Sequence, residues 1–273
     1  MRIIKQLFAV LLISTVTLSV RADVLVLVHG YLGSAHSWET SGVNAVLNAN
    51  GWPRAGMLTA GPAGVQLLPA AITATGGNVV YAVELPSLAP MMIQADYLQA
   101  MLQQIAVRHP GESTHIAAHS AGGVVARIAL VRGTAVNTKS LITISSPHLG
   151  TQRAVQALDA GDTPFPFCLV EDFFSGGKVR LLKDSRGALV DLTPAYPGSL
   201  LHWLNSQPHP DIAYHSVIRP GPVGMGDELI PAFSQDMNNI SALKGRSQVS
   251  IVPTRHMLNP QDGLELVKVL STL

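Results

Sequence analysis

The stretch Asp23–Val28 (DVLVLV) sets five apolar residues in succession after its aspartate, without the polar alternation of a half-buried strand. A strand of that kind is covered on both faces, as in a parallel sheet whose connecting helices lie above and below it. Short apolar runs recur at Asn78–Val83, Thr114–Ala118, Ser140–Ile144, Tyr214–Ile218 and Gln248–Val252. Helical patterns lie between several of them. Met91–Arg108 carries Met91, Ala95, Leu98, Met101, Leu102 and Ile105 close to a 3.6-residue period, and Gly122–Arg132 and Gly263–Leu273 are further helices by pattern. Strands alternating with helices predict an α/β fold: a mostly parallel sheet of about six strands with helices on both faces.

The 273-residue chain is 47% hydrophobic and 13% charged, a composition suited to one large domain with a sizeable core. Its formal charge of +1 gives no basic footprint for nucleic acid, and a single cysteine, Cys168, excludes an intrachain disulfide. The segment Met1–Ala22 reads as a secretory signal peptide. Arg2 and Lys5 form a positive start, Leu7–Val20 is an apolar run, and Val20-Arg21-Ala22 offers a cleavage site. The rival reading is a membrane anchor, but the run is shorter than the roughly 20 residues that span a bilayer. Without Arg2, Lys5 and Arg21 the 18 basic residues fall to 15 against 17 acidic, so the exported form is mildly acidic. Residues 23–273 then form one domain, secreted or periplasmic, with no integral membrane span. Thr151–Pro210 breaks the strand–helix alternation with six prolines and the group Phe165, Phe167, Phe173 and Phe174. It reads as an insertion over one edge of the sheet, either a mobile lid or a packing layer.

The feature that points to chemistry is THIAAHSAGGVVARIAL, Thr114–Leu130. A nucleophilic serine needs exposure, a base and donors for the oxyanion. A sharp strand-to-helix turn supplies the first, and the free N–H groups at the start of the helix supply part of the third. The turn crowds the residues two before and two after the serine, and here those are Ala118 and Gly122, flanking Ser120. This is the nucleophile-elbow pattern G-x-S-x-G with alanine in the first place.

At these residues the chain resembles the α/β-hydrolase family, and within it the bacterial lipases and esterases, some of which also begin the elbow with alanine. The resemblance implies that Ser120 is the nucleophile, with its oxyanion held by the N–H of Ala121 and a second N–H from the loop after the first strand. VLVLVHGYLGS is similar to the lipase His-Gly motif at that place, which assigns the second donor to Tyr31, with Leu32 as the alternative and His29 as structural. The family's chain order is serine, acid, histidine. GMGDELIPAFS resembles its acid loop and points to Asp227, with Glu228 and Asp236 as the alternatives nearby. Downstream of Asp227 the chain has a single histidine, His256, of ten in all. ITISSPHLGT (Ile142–Thr151) and DLTPAYPGSLLHWLN (Asp191–Asn205) match further lipase segments and read as structural. Gly51–Gly77 and Leu158–Leu189 match poorly.

The resemblance implies an ester or lipid substrate, cleaved through a Ser-Asp-His triad and an acyl-enzyme without a cofactor. No metal is expected: calcium-dependent lipases carry an aspartate two residues after the histidine, where this chain has Leu258. Phe165, Phe167, Phe173, Phe174 and Leu181-Leu182 could form an apolar cap, with transient contact to a lipid interface. A short-chain carboxylesterase or an acyltransferase would use the same triad, a peptidase or amidase is a further class, and a non-catalytic binding protein would not need the triad.

Overall fold

A computed structural model describes residues 22–68, 77–133, 137–162 and 178–273. Residues 1–21 of the segment read as a signal peptide, Cys168 and the four phenylalanines expected in a cap lie outside these residues. The elements run β1 (Asp23–Val28), α1 (Ser37–Thr40), α2 (Val43–Ala49), β2 (Arg54–Gly61), β3 (Gly64–Leu68), β4 (Val79–Glu84), α3 (Met91–Arg108), β5 (Ser113–His119), α4 (Ala121–Val131) and β6 (Thr138–Ile144). There follow α5 (Gln152–Gly161), α6 (Lys178–Asp184), α7 (Arg186–Asp191), α8 (Leu200–Ser206), β7 (Ala213–Ile218), α9 (Ala232–Gln235), β8 (Ser247–Ile251) and α10 (Pro260–Leu270).

One eight-stranded sheet has the order β3-β2-β4-β1-β5-β6-β7-β8. All pairings are parallel except β2 with β3. The six strands expected from the apolar runs are present. The two additional ones, β2 and β3, form an edge hairpin in the stretch Gly51–Gly77. Their residues are partly exposed, with every other residue of β3 facing solvent, so they lack the continuous apolar run that marks a central strand.

Burial on both faces is visible along β1. Val24, Val26 and Val28 pack into one core with α3 and α4, while Leu25 and Leu27 pack into a second with Trp38, Val43, Leu47 and Leu266. None of these named side chains is exposed, which makes β1 the centre of both layers. Helix α3 falls on Met91–Arg108 as its periodicity predicts. The last helix begins at Pro260 rather than Gly263 because Pro260 occupies its first turn and Asn259 with Asp262 closes a capping box in front of it.

The chain leaves β1 toward β2 and β4 on one side and reaches β5, β6, β7 and β8 on the other. The order therefore reverses between β1 and β5, where Val28 lies opposite Ala118. The crevice beyond the carboxyl ends of two such strands is where open α/β sheets hold ligands. In the segment Thr151–Pro210 the described residues form the four helices α5 to α8.

Candidate active site

The chain enters the crevice from four strand ends. After β5 the backbone turns abruptly at Ser120, whose φ of +52° and ψ of −130° are unfavourable for a side chain. The turn is fastened on both sides: the Ser120 N–H donates to Ile144 O at 2.9 Å and the Gly123 N–H to Ser120 O at 3.0 Å. The small residues around it are required by close approach. A Cβ on Gly122 would overlap the carbonyl oxygens of Val28 and His29, and one on Gly30 would stand 2.8 Å from Cβ of Ser120. Ala118 is fully buried. The elbow thus packs its backbone directly against the loop after β1, with no room for side chains between.

His256 follows β8 and is nearly buried. Its Nε2 lies 3.0 Å from Ser120 Oγ, and its Nδ1 lies 3.1 Å from Asp227 Oδ2. Facing a carboxylate, Nδ1 carries the proton, which leaves the Nε2 lone pair aimed at the serine hydroxyl. His119 supports the ring from behind: its Nε2–H donates to the His256 carbonyl at 2.9 Å, and the two rings are 5.0 Å apart. Burial, then the neighbouring His256, lowers the pKa of His119 to about 3, so this histidine is neutral.

Asp227 sits on the loop after β7 with its side chain wholly buried. Burial alone would raise its pKa, but hydrogen bonds from His256, Ser145 and the Ile230 amide outweigh that, and the carboxyl lies below its usual range. Oδ1 accepts the N–H groups of Leu229 at 2.8 Å and Ile230 at 2.7 Å. Oδ2 accepts from His256 and Ser145, and from Gln235 Nε2 at 3.3 Å. The two alternative acids are elsewhere engaged. Glu228 accepts the backbone N–H of His256 at 3.2 Å and Arg255 Nε at 3.2 Å, while Asp236 caps a short turn through the Asn238 N–H.

Tyr31 and Ala121 border the same spot. Ala121 is the first residue of α4, so its N–H has no acceptor within the helix. The Tyr31 hydroxyl is 2.7 Å from Ser185 Oγ, which itself donates to Leu181 O, so the loop after β1 is tied to the start of α7. Leu32, the alternative donor, has a φ of +57° and is 54% exposed. Both ring nitrogens of His29 are engaged elsewhere: its Nε2 accepts the Leu85 N–H at 3.0 Å, which places the proton on Nδ1, donated to Gly30 O at 3.0 Å. Its pKa is lowered, chiefly by burial.

Above Ser120 and His256 opens a cavity of about 720 Å³ whose walls include Tyr31, Ala154, Leu189, Leu192, Ile230 and Leu258. Ala154, Leu189 and Leu192 come from the segment after Thr151, which therefore walls the cavity. The two leucines expected in the cap, Leu181 and Leu182, are not among the walls, and Leu182 lies against Gly161 of α5.

The residue that the sequence reading misses is Ser145, immediately after β6. Its hydroxyl contacts both Asp227 Oδ2 and His256 Nδ1. The motif ITISSPHLGT marks the segment, but no local pattern distinguishes a serine that reaches two distant loops.

Residues 88–160 match the model of the PGAP1-like alpha/beta domain. No curated protein matches the chain. Among solved structures, a protein from Listeria innocua superimposes with a TM-score of 0.65 at 13% identity, over 92% of this chain and 95% of the other. The mature lipase BlEst2 of Bacillus licheniformis does so with a TM-score of 0.61 at 15% identity, over 92% and 91%. An extracellular alpha/beta-hydrolase from a Paenibacillus species gives 0.50 at 14% identity, over 92% and 98%. Among the described residues no helix is long and apolar enough to cross a membrane. The strand order with its reversal at β1/β5, the serine turn at that point and these neighbours show that the chain has the α/β-hydrolase fold.

Proposed function

We propose that the protein is an exported serine hydrolase that cleaves carboxylic esters, with acyl lipids as the substrate class. The observation that carries the reading is the hydrogen-bonded row Ser120 Oγ–His256–Asp227, with contacts of 3.0 and 3.1 Å, at the floor of an apolar cavity. In this reading His256 takes the Ser120 proton through Nε2 as the oxygen attacks the ester carbonyl. Asp227 holds the imidazole in the required tautomer and stabilises its protonated form. The N–H groups of Tyr31 and Ala121 receive the oxyanion, each such donor being worth about 3 kcal/mol of barrier. The protonated His256 returns its proton to the leaving alcohol, and water clears the acyl-enzyme by the same route.

Two features support an acyl substrate. The cavity has the size of sites that enclose small organic ligands. Most of its exposed wall surface is apolar, with five leucines, Ile230 and two alanines beside the hydroxyls of Ser37, Thr40, Ser41 and Thr151, and the one guanidinium among the described lining residues, Arg153, is already engaged by Glu228 O and Gln156. Export is supported by the leader-like N-terminus and accords with the extracellular neighbour. The test is hydrolysis of p-nitrophenyl esters from acetyl to palmitoyl by the protein and by Ser120→Ala. The reading expects activity that rises beyond acetyl and is abolished in the variant. Equal rates for the two proteins would remove Ser120 from the mechanism, and a sharp optimum at acetyl would replace acyl lipids by short-chain esters.

A further inference from the structure

Ser145 follows β6 directly and is fully buried, yet its φ is +50°. A buried non-glycine residue in that region is strained, and the strain persists only where the surroundings impose it. Its backbone is held by an N–H donated to Val217 O at 3.0 Å, and the preceding carbonyl, Ile144 O, accepts the N–H of Ser120. The strained turn therefore sits between the serine elbow and β7, and it turns one hydroxyl toward the site.

That hydroxyl has two partners. Its proton goes to Asp227 Oδ2, the only one of the two that cannot itself donate. Its lone pair faces His256 Nδ1 at 3.0 Å, while the same nitrogen lies 3.1 Å from Asp227 Oδ2. One imidazole N–H is thus shared between a carboxylate and a hydroxyl that are themselves bonded, and the three side chains close a ring.

We propose that Ser145 is a positioning residue for His256 and Asp227, a fourth member of the row that begins at Ser120. It rests on the reading of those three as the catalytic set. Without Ser145 the Nδ1 side of the imidazole would be held by the Asp227 carboxylate alone. Ser145 adds an anchor from β6, different from the β7 loop that carries Asp227, and fixes Oδ2 by donating to it. When His256 is protonated in the reaction, its Nδ1–H remains between two acceptors. Ser145 is not among the residues that line the cavity, so it touches no substrate.

The test turns on glycine, the residue best suited to the left-handed backbone found at this position. If the position matters only for its backbone, Ser145→Gly keeps full activity. If the hydroxyl positions the histidine, Ser145→Gly lowers kcat by about 10- to 100-fold, the range for one hydrogen bond to a charged group, with KM within about twofold. Ser145→Ala retains the Cβ and the strain but lacks the hydroxyl, so it loses kcat equally while melting no higher than the glycine variant. The low-field proton resonance of His256 Nδ1–H, assigned by its disappearance in His256→Gln, reports the same contact without substrate and shifts in both Ser145 variants. Glycine at wild-type kcat with an unmoved resonance overturns the proposal. Should the wild-type protein hydrolyse no ester, the catalytic reading fails instead, and the resonance alone decides whether Ser145 holds the histidine.

Discussion

Acidification tests the interior next to the site, and His119 allows the effect to be isolated. This residue lies with its ring 5.0 Å from that of His256 and tilted against it, gives its Nε2–H to the His256 carbonyl and is 8% exposed. Its pKa is about 3 in the folded protein, first because of burial and second because of His256. In the unfolded chain it titrates near 6.5. Below that value the unfolded chain gains a proton that the folded chain refuses, so folding loses stability as pH falls from about 6.5 toward 3; above 6.5 the contribution is complete. Between pH 7 and pH 5 the loss from this one histidine is about 2 kcal/mol, at about 1.4 kcal/mol per pH unit below 6.5. That is a substantial part of a typical folding stability of about 5–15 kcal/mol. Carboxylates and other buried histidines add their own pH dependence, so the comparison is with His119→Gln, which keeps a donor near Nε2 and cannot titrate. Urea unfolding at pH 7, 6 and 5 should show the stability of the wild-type protein falling by about 2 kcal/mol more than that of the variant. Parallel pH profiles for the two proteins would show that His119 titrates in the folded protein as it does in the unfolded chain, and the account of its burial would be wrong.

Two further outcomes follow from the same geometry. Asp227→Asn presents an amide to His256 Nδ1, favouring the wrong tautomer; kcat of the folded variant should fall by about 10⁴-fold, and a loss under tenfold would count against Asp227 as the orienting acid. Gly122→Val places a side chain onto the carbonyls of Val28 and His29, backbone atoms that cannot move aside. It should destabilise the protein by about 3 kcal/mol, the upper end of the usual cost of overpacking, and a variant that melts with the wild type would contradict the close packing of elbow and β1 loop.

The parts of this molecule legible in its sequence are those where one local rule dominates. The runs at Asp23–Val28 and Thr114–Ala118 are apolar on both faces and fit only central strands. Ser120 stands out because its neighbours must be small, and His256 because one histidine follows the acid loop. The edge hairpin of β2 and β3 is illegible for the opposite reason: its exposed residues relax the pattern. The start of α10 is signalled by Asn259, Pro260 and Asp262, but its apolar periodicity begins only inside the helix. Ser145 illustrates a different limit. Its role depends on β6 and β7 being neighbours in the sheet, which brings a strained serine against a loop 82 residues further along.

The central claim is that Ser120 is an activated nucleophile. It is tested most directly by treating the folded protein with diethyl p-nitrophenyl phosphate and locating the adduct by peptide mass spectrometry. The account predicts stoichiometric phosphorylation of Ser120, lost in His256→Gln although the serine remains. An unmodified Ser120, or modification that survives removal of His256, would contradict it.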